Sequence, residues 1–549
     1  MKKPRRRKQT KSGSQPCVAP AVSSLTERAD QALASPLWRW AVPALILTAT
    51  LAVSAWTFDE KLSYTGDNTE FIILARSVAQ GQGLSLISRP VPTPGSKFPP
   101  GFPAILAPVA ALFPMDGETA TPDWVAMKWV VVLLFAGSMS LFYLLMSDQW
   151  ARLPALAVTL LCLTNPLLVD YGHQVMSEVP YLFCSVLSLL LIERSMRRKE
   201  VGRNYLFYGG LAAIMGAYYV RSVGVVLVAA VILYTVQQRH YLKALVTAAV
   251  AVAAALPWLL RNRALGKGSF YLKQLLLENP YYAERGLMDL SSYSDRLWFN
   301  GMGYLTREIP GVLYPPLRPL EELASWTPDA GALLHVSTLI LVAIAVYTVY
   351  LCMRRGQHLI FFNYVILLMG TQIVWPWMSD RFLIPMLPFF VFFAVRVAAD
   401  VVERMRAGAL RWGAMALVSA AGVVFLAANV SALNGLVETA DGEYAPNYFS
   451  YYSIGQWLNE NSSEDAVILC RKPFWMYVVS GRKSVVYPYK DPSAVMASID
   501  ERGVDYVVVG ELSLTTRRHL VPTIRTYPQR FELLLQVRDT ETYLFGIRR

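Results

Sequence analysis

The chain has 549 residues, of which 54% are hydrophobic and 16% are charged, and its net charge is +12. A soluble globular protein has about a quarter charged residues, so the composition excludes an ordinary soluble protein and indicates repeated membrane-spanning segments. In such a protein an excess of Lys and Arg marks the cytoplasmic loops, and no nucleic-acid partner is expected. The five cysteines have no metal-ligand spacing, and no disulfide framework is expected from them.

The chain begins with a polar, basic stretch, residues 1–36, which we expect to be a disordered cytoplasmic tail. The apolar run that follows is too long for a typical signal-peptide core and lacks a clear cleavage site, so it predicts a retained first helix. The sequence then predicts an all-α polytopic membrane protein with about eleven transmembrane helices, at 37–57, 123–147, 153–169, 178–193, 205–220, 222–236, 243–260, 332–352, 359–378, 382–399 and 411–433.

The orientation follows from the basic connections between these segments. The stretch 205–236 is counted as two short helices because Arg221 interrupts it. With eleven helices, the basic tail and every strongly basic connection lie on one side of the membrane, which the positive-inside rule makes cytoplasmic. These connections are at 193–204, 239–243, 354–355 and 404–411.

The opposite side carries two long loops, 58–122 and 261–331, together with a tight turn at 170–178 and the C-terminal region. Amphipathic pieces at 71–78 and 272–277 resemble helices that lie in the membrane interface.

In the C-terminal region, residues 434–549, short β-rich runs alternate with helical segments and predict a small extracytoplasmic α/β domain. It shows no catalytic constellation, so packing or acceptor docking is expected of it. The predicted strands are at 466–470, 484–488, 505–510 and 531–537.

Two cations on the outer side break the local charge bias. The short outer connections are nearly free of Lys and Arg, but Arg221 and Arg381 each stand at a helix end. Either residue alone is equally well explained by snorkelling to lipid headgroups. The pair is better explained by an anionic ligand, because the planar fork of donors on Arg suits phosphate.

The first outer loop supplies an acidic and a basic candidate. Asp67 precedes a predicted amphipathic helix, so it is either the N-cap of that helix or a general base at the membrane surface, and spacing alone favours the cap. Lys97 precedes a rigid Pro-Pro-Gly turn. A carboxylate that removes an acceptor's proton, beside cations that stabilise a departing phosphate, is the arrangement that a lipid-phosphate donor requires.

The turn DYGHQVMSEVP (170–180) places four polar candidates close together. Glu178 is a second acidic candidate for catalysis, and Asp170, Tyr171 and His173 are candidates for positioning the donor or the acceptor. No second His lies near His173, so no metal is expected here.

These residues resemble the GT-C glycosyltransferases of the family 39 type, which include protein O-mannosyltransferases and the aminoarabinose transferase that modifies lipid A. The resemblance covers about residues 37–400. It rests on the acidic residue after the first helix and on the order of five motifs: ARSVAQGQGL (75–84), KFPPGFP (97–103), YGHQVMSEVP (171–180), PWLLRN (257–262) and DRFLIPMLPF (380–389).

The resemblance implies transfer of a sugar from a polyprenyl-phosphate donor, in the periplasm of a bacterium, usually with inversion. Asp67 matches the family's first-loop base and Glu178 its second acidic residue. Lys97 and Arg381 match basic residues associated with the donor phosphate. The chain departs from the family where Asn68 follows Asp67, since many members carry a second acidic residue there.

The expected protein is therefore a multi-pass glycosyltransferase of the bacterial inner membrane, without a cofactor, whose partners are the bilayer, the lipid-linked donor and an acceptor that the sequence leaves open. The missing Asp-X-Asp motif of oligosaccharyltransferases argues against metal dependence. The alternative is a transporter or flippase of a lipid-linked saccharide. A transporter is expected to have polar or broken helices near the membrane midplane and often two related halves, and neither feature is found in the sequence.

Overall fold

The computed structural model describes residues 29–33, 35–64, 66–113, 122–196, 201–267, 270–280, 286–317, 328–538 and 540–549. Most of the predicted N-terminal tail and parts of the loops 58–122 and 261–331 lie outside these residues. The helices of the bundle and its outer loops are α1 Pro36–Trp56, α2 Asn68–Ala79, α3 Gly101–Leu112, α4 Asp123–Gln149, α5 Arg152–Leu163, α6 Pro166–Gly172, α7 Glu178–Ser195, α8 Tyr205–Val220, α9 Val225–Gln237, α10 Tyr241–Ala264, α11 Phe270–Leu276, α12 Leu290–Gly303, α13 Ile309–Leu313, α14 Pro328–Arg355, α15 Leu359–Val374, α16 Leu387–Arg404 and α17 Ala409–Asp441.

Each of the eleven predicted apolar segments coincides with one helix or, at 153–169, with the pair α5 and α6, which meet at a bend of 64°. Among the described residues, five helical segments are long and apolar enough to cross a membrane, and the number is six if the bent pair is one span. The helical fold class is confirmed, whereas eleven membrane crossings stay a prediction. The division at Arg221 is confirmed, because this residue is extended between α8 and a 3₁₀ turn.

The bundle has two chemically different ends. At one, which we call the basic end, Tyr234 at the end of α9 donates to Glu193 of α7, and Lys243 of α10 donates to the carbonyl of Ser195. The opposite or outer end carries the first outer loop, where Lys128 of α4 donates to the carbonyls of Asp59 and Lys61. The connections near 193–204 and 239–243 therefore lie together at one end of the bundle, and which end faces the cytoplasm stays a prediction.

The first outer loop is built into the protein. It contains α2, a short antiparallel pair formed by β1 (Ser85–Leu86) and β2 (Thr93–Pro94), and α3. Ten of the twelve residues of α2 are buried. The helix predicted at 71–78 is thus present, but its predicted place in the membrane interface is wrong, because protein covers it on all sides.

The C-terminal region forms a mixed five-stranded sheet in the order β4-β3-β5-β7-β6. β3 pairs in parallel with β4 and β5, whereas β7 is antiparallel to both β5 and β6. The four predicted strands are confirmed, and β7 is an unpredicted fifth. The elements are α18 Pro446–Asn461, β3 Val467–Leu469, α19 Pro473–Ser480, β4 Lys483–Val485, α20 Pro492–Glu501, β5 Tyr506–Val509, α21 Val521–Thr526, β6 Phe531–Gln536 and β7 Tyr543–Ile547.

This sheet is attached to the first outer loop through the backbone. The N–H of Ser484 in β4 donates to the carbonyl of Ser88 at 2.8 Å, and Lys483 Nζ donates to the carbonyl of Ile87 at 2.8 Å. Helix α19 packs on α2. The C-terminal region therefore covers the loop that carries Asp67.

Candidate active site

Asp67 occupies the N-cap position of α2, but its carboxylate makes no capping hydrogen bond. The cap interpretation is therefore wrong, and the side chain is left for other contacts. Gly66, with φ of +62°, precedes it, and a Cβ there would lie 2.7 Å from Met176 Cε and 2.8 Å from Arg381 Nη1. Only glycine adopts this backbone without strain while leaving room for the arginine.

Lys97 joins two carboxylates. Its Nζ lies 2.7 Å from Asp67 Oδ1 and 3.0 Å from Glu70 Oε2. Sequence reasoning missed Glu70, although residues three apart at the start of a helix share a face. The turn that follows Lys97 is closely packed and holds the lysine in place. Gly101, at the start of α3, lies so close to Tyr219 that a Cβ on the glycine would be 2.6 Å from the backbone of Tyr219.

Two arginines complete the cluster. Arg221 directly follows α8, and Arg381 lies in the turn before α16. Arg381 Nη1 lies 3.9 Å from Asp67 Oδ2. Arg221 Nη1 lies 2.6 Å from Glu178 Oε1 and donates to Ser177 Oγ at 3.0 Å. Both guanidinium groups lie over the ring of Phe382, at 4.9 Å for Arg381 and 5.8 Å for Arg221. The outer ends of four chain segments thus bring three cations and three carboxylates together.

The two carboxylates that share Lys97 respond to it differently. Burial opposes ionisation of Asp67, but Lys97, Arg381 and Arg221 together outweigh it and lower the pKa of Asp67. Burial is dominant at Glu70 and raises its pKa despite Lys97. The pKa of Lys97 is raised, because the two carboxylates outweigh its burial. At neutral pH, Asp67 is therefore ionised and Lys97 is charged.

The candidates in the 170–178 turn separate into two groups. The charges of Glu178 and Arg381 both act on the Tyr171 hydroxyl, so this residue borders the cluster. His173 is only 3% exposed, and its ring packs edge-on against Phe58. Burial lowers the pKa of His173 to about 3, so it is neutral. Its Nε2 lies 3.8 Å from Asp170 Oδ1. Because it is buried and neutral, His173 is a packed core residue near the site.

Tyr271 of α11 is a further neighbour that sequence reasoning missed. Burial raises the pKa of its hydroxyl to about 12, and the charges of Arg221, Lys97 and Asp67 also act on it. The signal available in the sequence was only an aromatic residue in an amphipathic stretch. Within the described part of the chain, no three His, Cys, Asp or Glu side chains are arranged to hold a metal ion.

Comparison with solved structures identifies the architecture. ArnT from Cupriavidus metallidurans, bound to undecaprenyl phosphate, matches with a TM-score of 0.55 at 13% identity, over 92% of this chain and 97% of that chain. The archaeal oligosaccharyltransferase AglB from Archaeoglobus fulgidus, in complex with an inhibitory peptide and a dolichol-phosphate, matches with a TM-score of 0.55 at 12% identity, over 86% of this chain and 70% of that one. The chain has the GT-C fold.

The predicted resemblance is thus confirmed at the level of the fold, and the GT-C architecture accounts for nearly the whole chain. No protein-family model and no curated protein sequence matches the chain. In this GT-C chain, the cluster around Asp67 lies where the first outer loop meets the outer ends of the helices.

Proposed function

We propose that the chain is a membrane glycosyltransferase that moves a sugar from a polyprenyl-phosphate-linked donor to an acceptor at the extracytoplasmic face of a bacterial inner membrane. The observation that carries the proposal is an ionised carboxylate, Asp67, with one partly unsatisfied oxygen in the middle of three cations. The GT-C fold, which ArnT and AglB show with a polyprenyl or dolichol phosphate bound, supports the class of donor.

Lys97 and Arg381 are the proposed ligands of the donor phosphate. Their side chains are 30% and 23% exposed, so they remain reachable while being held by carboxylates. Arg381 presents a planar fork of donors that suits phosphate. Arg221 adds a third positive charge, and Glu178, which is 1% exposed and paired with it, is proposed to orient Arg221.

Asp67 is the proposed general base. It accepts the proton of the acceptor hydroxyl while that oxygen forms a bond to the anomeric carbon. The bond between this carbon and the phosphate oxygen breaks, and its electron pair leaves on the polyprenyl phosphate. Lys97 and Arg381 stabilise that charge where it develops. The proton on Asp67 is later released to water.

Donor binding is expected to strengthen the base. In the free protein, Lys97 holds the pKa of Asp67 low, which makes the carboxylate a weak proton acceptor. A phosphate that competes for Lys97 withdraws part of this stabilisation, so the pKa of Asp67 rises. Asp67 thus becomes a better base only when a donor is in place, and this order protects the site from unproductive chemistry.

The test uses the full chain reconstituted in nanodiscs. We expect undecaprenyl phosphate to bind and to be detected by native mass spectrometry. We also expect a radiolabelled undecaprenyl-phosphate sugar to be cleaved when bacterial envelope extract supplies acceptors. Failure of the wild-type protein to bind undecaprenyl phosphate would refute the proposal. Transfer of the intact labelled donor across a liposome bilayer, without cleavage, would favour the flippase alternative.

A further inference from the structure

A cavity of about 800 Å³ lies between the first outer loop and the C-terminal sheet. Gly66 and Thr69, which flank Asp67 along the chain, form part of its wall. On the other wall lies Lys472, which is close enough to Asp67 for the carboxylate to act on its charge. The cavity therefore opens directly beside the proposed base, on the side that the C-terminal region covers.

The cavity is strongly basic. Arg89, Arg471, Lys472 and Arg502 line it, against the single carboxylate of Glu501. Within the described part of the chain, these four cations form no ion pair with any carboxylate. Burial lowers the pKa of Arg89, the carboxylate of Glu70 opposes this effect, and the like charge of Arg502 adds to it.

The hydrogen bonds of these cations leave donors unused. Arg89 donates to Thr93 Oγ1 and Arg502 to the carbonyl of Val486, each through a single nitrogen. Arg471 Nε is buried and has no hydrogen-bond partner among the described residues. Buried donors are almost always satisfied in proteins, so this donor beside the cavity is available to a group that enters it.

Four arginines elsewhere on the C-terminal region are held by carboxylates at 2.6–3.2 Å. They are Arg517, Arg530, Arg548 and Arg549. Among the described residues, the four cations of the cavity have no such partner, so their charges are available to an anion that enters it.

Aromatic side chains complete the lining. Tyr64, Phe474, Trp475 and Tyr489 all face the cavity, and Arg471 lies 5.8 Å from the centre of the Tyr489 ring. The indole N–H of Trp475 is buried and also lacks a partner among the described residues. Apolar rings beside a few convergent donors are typical of a site for a small polar molecule with an apolar face, as a sugar ring has.

We propose that this cavity binds the acceptor and that the acceptor is a saccharide carrying phosphate or carboxylate groups. The inference rests on the proposed function, because it places the acceptor hydroxyl next to Asp67. The donor phosphate occupies the separate cations Lys97 and Arg381, so the two anions are bound by different sets of residues. Whether the saccharide is lipid-anchored or free is decided by the test.

The test titrates glucose 6-phosphate and glucose, as anionic and neutral probes, into the full-length protein in nanodiscs by calorimetry. We expect glucose 6-phosphate to bind about tenfold or more tightly than glucose, since its phosphate can accept charge-assisted hydrogen bonds from the arginines. The double variant Arg89→Gln/Arg502→Gln is expected to lose this preference. Arg525→Gln, an exposed arginine of α21 outside the cavity, is the matched control and is expected to bind like the wild type.

Equal affinity for the two probes, or an unchanged preference in the double variant, would overturn the inference. If the double variant melts early, the single variant Arg471→Gln replaces it with the same expected loss. Undecaprenyl phosphate is titrated in parallel and is expected to bind equally to the control and to the cavity variants. Its failure to bind the wild type would refute the proposed function instead, so the two failures are distinguishable. Tighter binding of the tetradecyl glycoside of glucose 6-phosphate would identify a lipid-anchored acceptor, and equal binding a free one.

Discussion

The two ends of the helical bundle each hold a carboxylate among several cations, but only one of these carboxylates is saturated. At the basic end, Asp400 accepts from Arg355 at 2.9 Å, from Arg404 at 2.7 Å and from the Tyr347 hydroxyl at 2.7 Å. Arg396 Nη2 also lies 3.8 Å from Asp400 Oδ1. The side chain of Asp400 is 5% exposed, so both of its oxygens are occupied and shielded.

At the outer end, Asp67 accepts one hydrogen bond from Lys97 through Oδ1, whereas Oδ2 has, among the described residues, only Arg381 at 3.9 Å. Its side chain is 27% exposed. The same residue types therefore serve two purposes. Saturation and burial make Asp400 a structural contact between helices, while an open oxygen beside reachable cations makes Asp67 fit for chemistry.

The largest effect is expected from Asp67→Asn. The amide keeps the volume of the side chain but cannot accept the acceptor's proton, so we expect transfer to fall about a thousandfold. Transfer is measured with a radiolabelled undecaprenyl-phosphate sugar, and folding is checked by the melting temperature. Full activity in this variant would remove Asp67 from its role as base.

A smaller effect is expected from Arg381→Gln. Loss of one charge-assisted contact to the donor phosphate should raise the donor KM about tenfold or more, with less change for the acceptor. Arg396→Gln, at the basic end, is the matched control and should leave both constants unchanged. Equal donor constants in the two variants would show that Arg381 does not bind the phosphate.

The next effect concerns pH. Burial opposes ionisation of Asp67, and Lys97 is the first of the charges that overcome it. Lys97→Gln therefore raises the pKa of Asp67, so the acid limb of kcat/KM against pH should move to higher pH. An Asp67 with a depressed pKa keeps the wild type active as pH falls below neutrality, and the variant should lose activity first. An acid limb that stays in place would mean that Lys97 does not control the base.

The smallest effect on transfer is expected from Asp400→Asn. This change should lower the melting temperature by a few degrees, because three arginines lose their shared carboxylate, while transfer stays within about twofold of the wild type. A loss of transfer comparable to that of Asp67→Asn, without a loss of stability, would break the distinction between the two ends.

The helices could be predicted because long apolar runs interrupted by basic connections leave few alternatives. The sequence could predict only that Asp67, Lys97 and Arg381 lie on the same side of the membrane. Which of these side chains contact each other depends on how the first outer loop folds. Glu70 was missed because it stands just before the stretch 71–78, which was interpreted as a helix in the membrane interface, and burial under α19 depends on contacts distant in sequence. His173, a polar residue in a polar turn, gave no signal that Phe58 covers it.

The strand β7 was missed for a related reason. It contains a glycine, which is unfavourable in a strand, yet it lies between β5 and β6 and pairs with both. Its place is decided by its neighbours in the sheet, and its own pattern is weak.

The backbone hydrogen bond between Ser484 and Ser88 has a consequence for any exchange of parts between proteins of this fold. It makes the first outer loop a neighbour of the edge strand β4, in the manner of an added strand. A chimera that receives a foreign C-terminal region but keeps its own loop would present mismatched surfaces beside Asp67. The exchangeable module is therefore the discontinuous pair, residues 58–113 with 442–549, transplanted together.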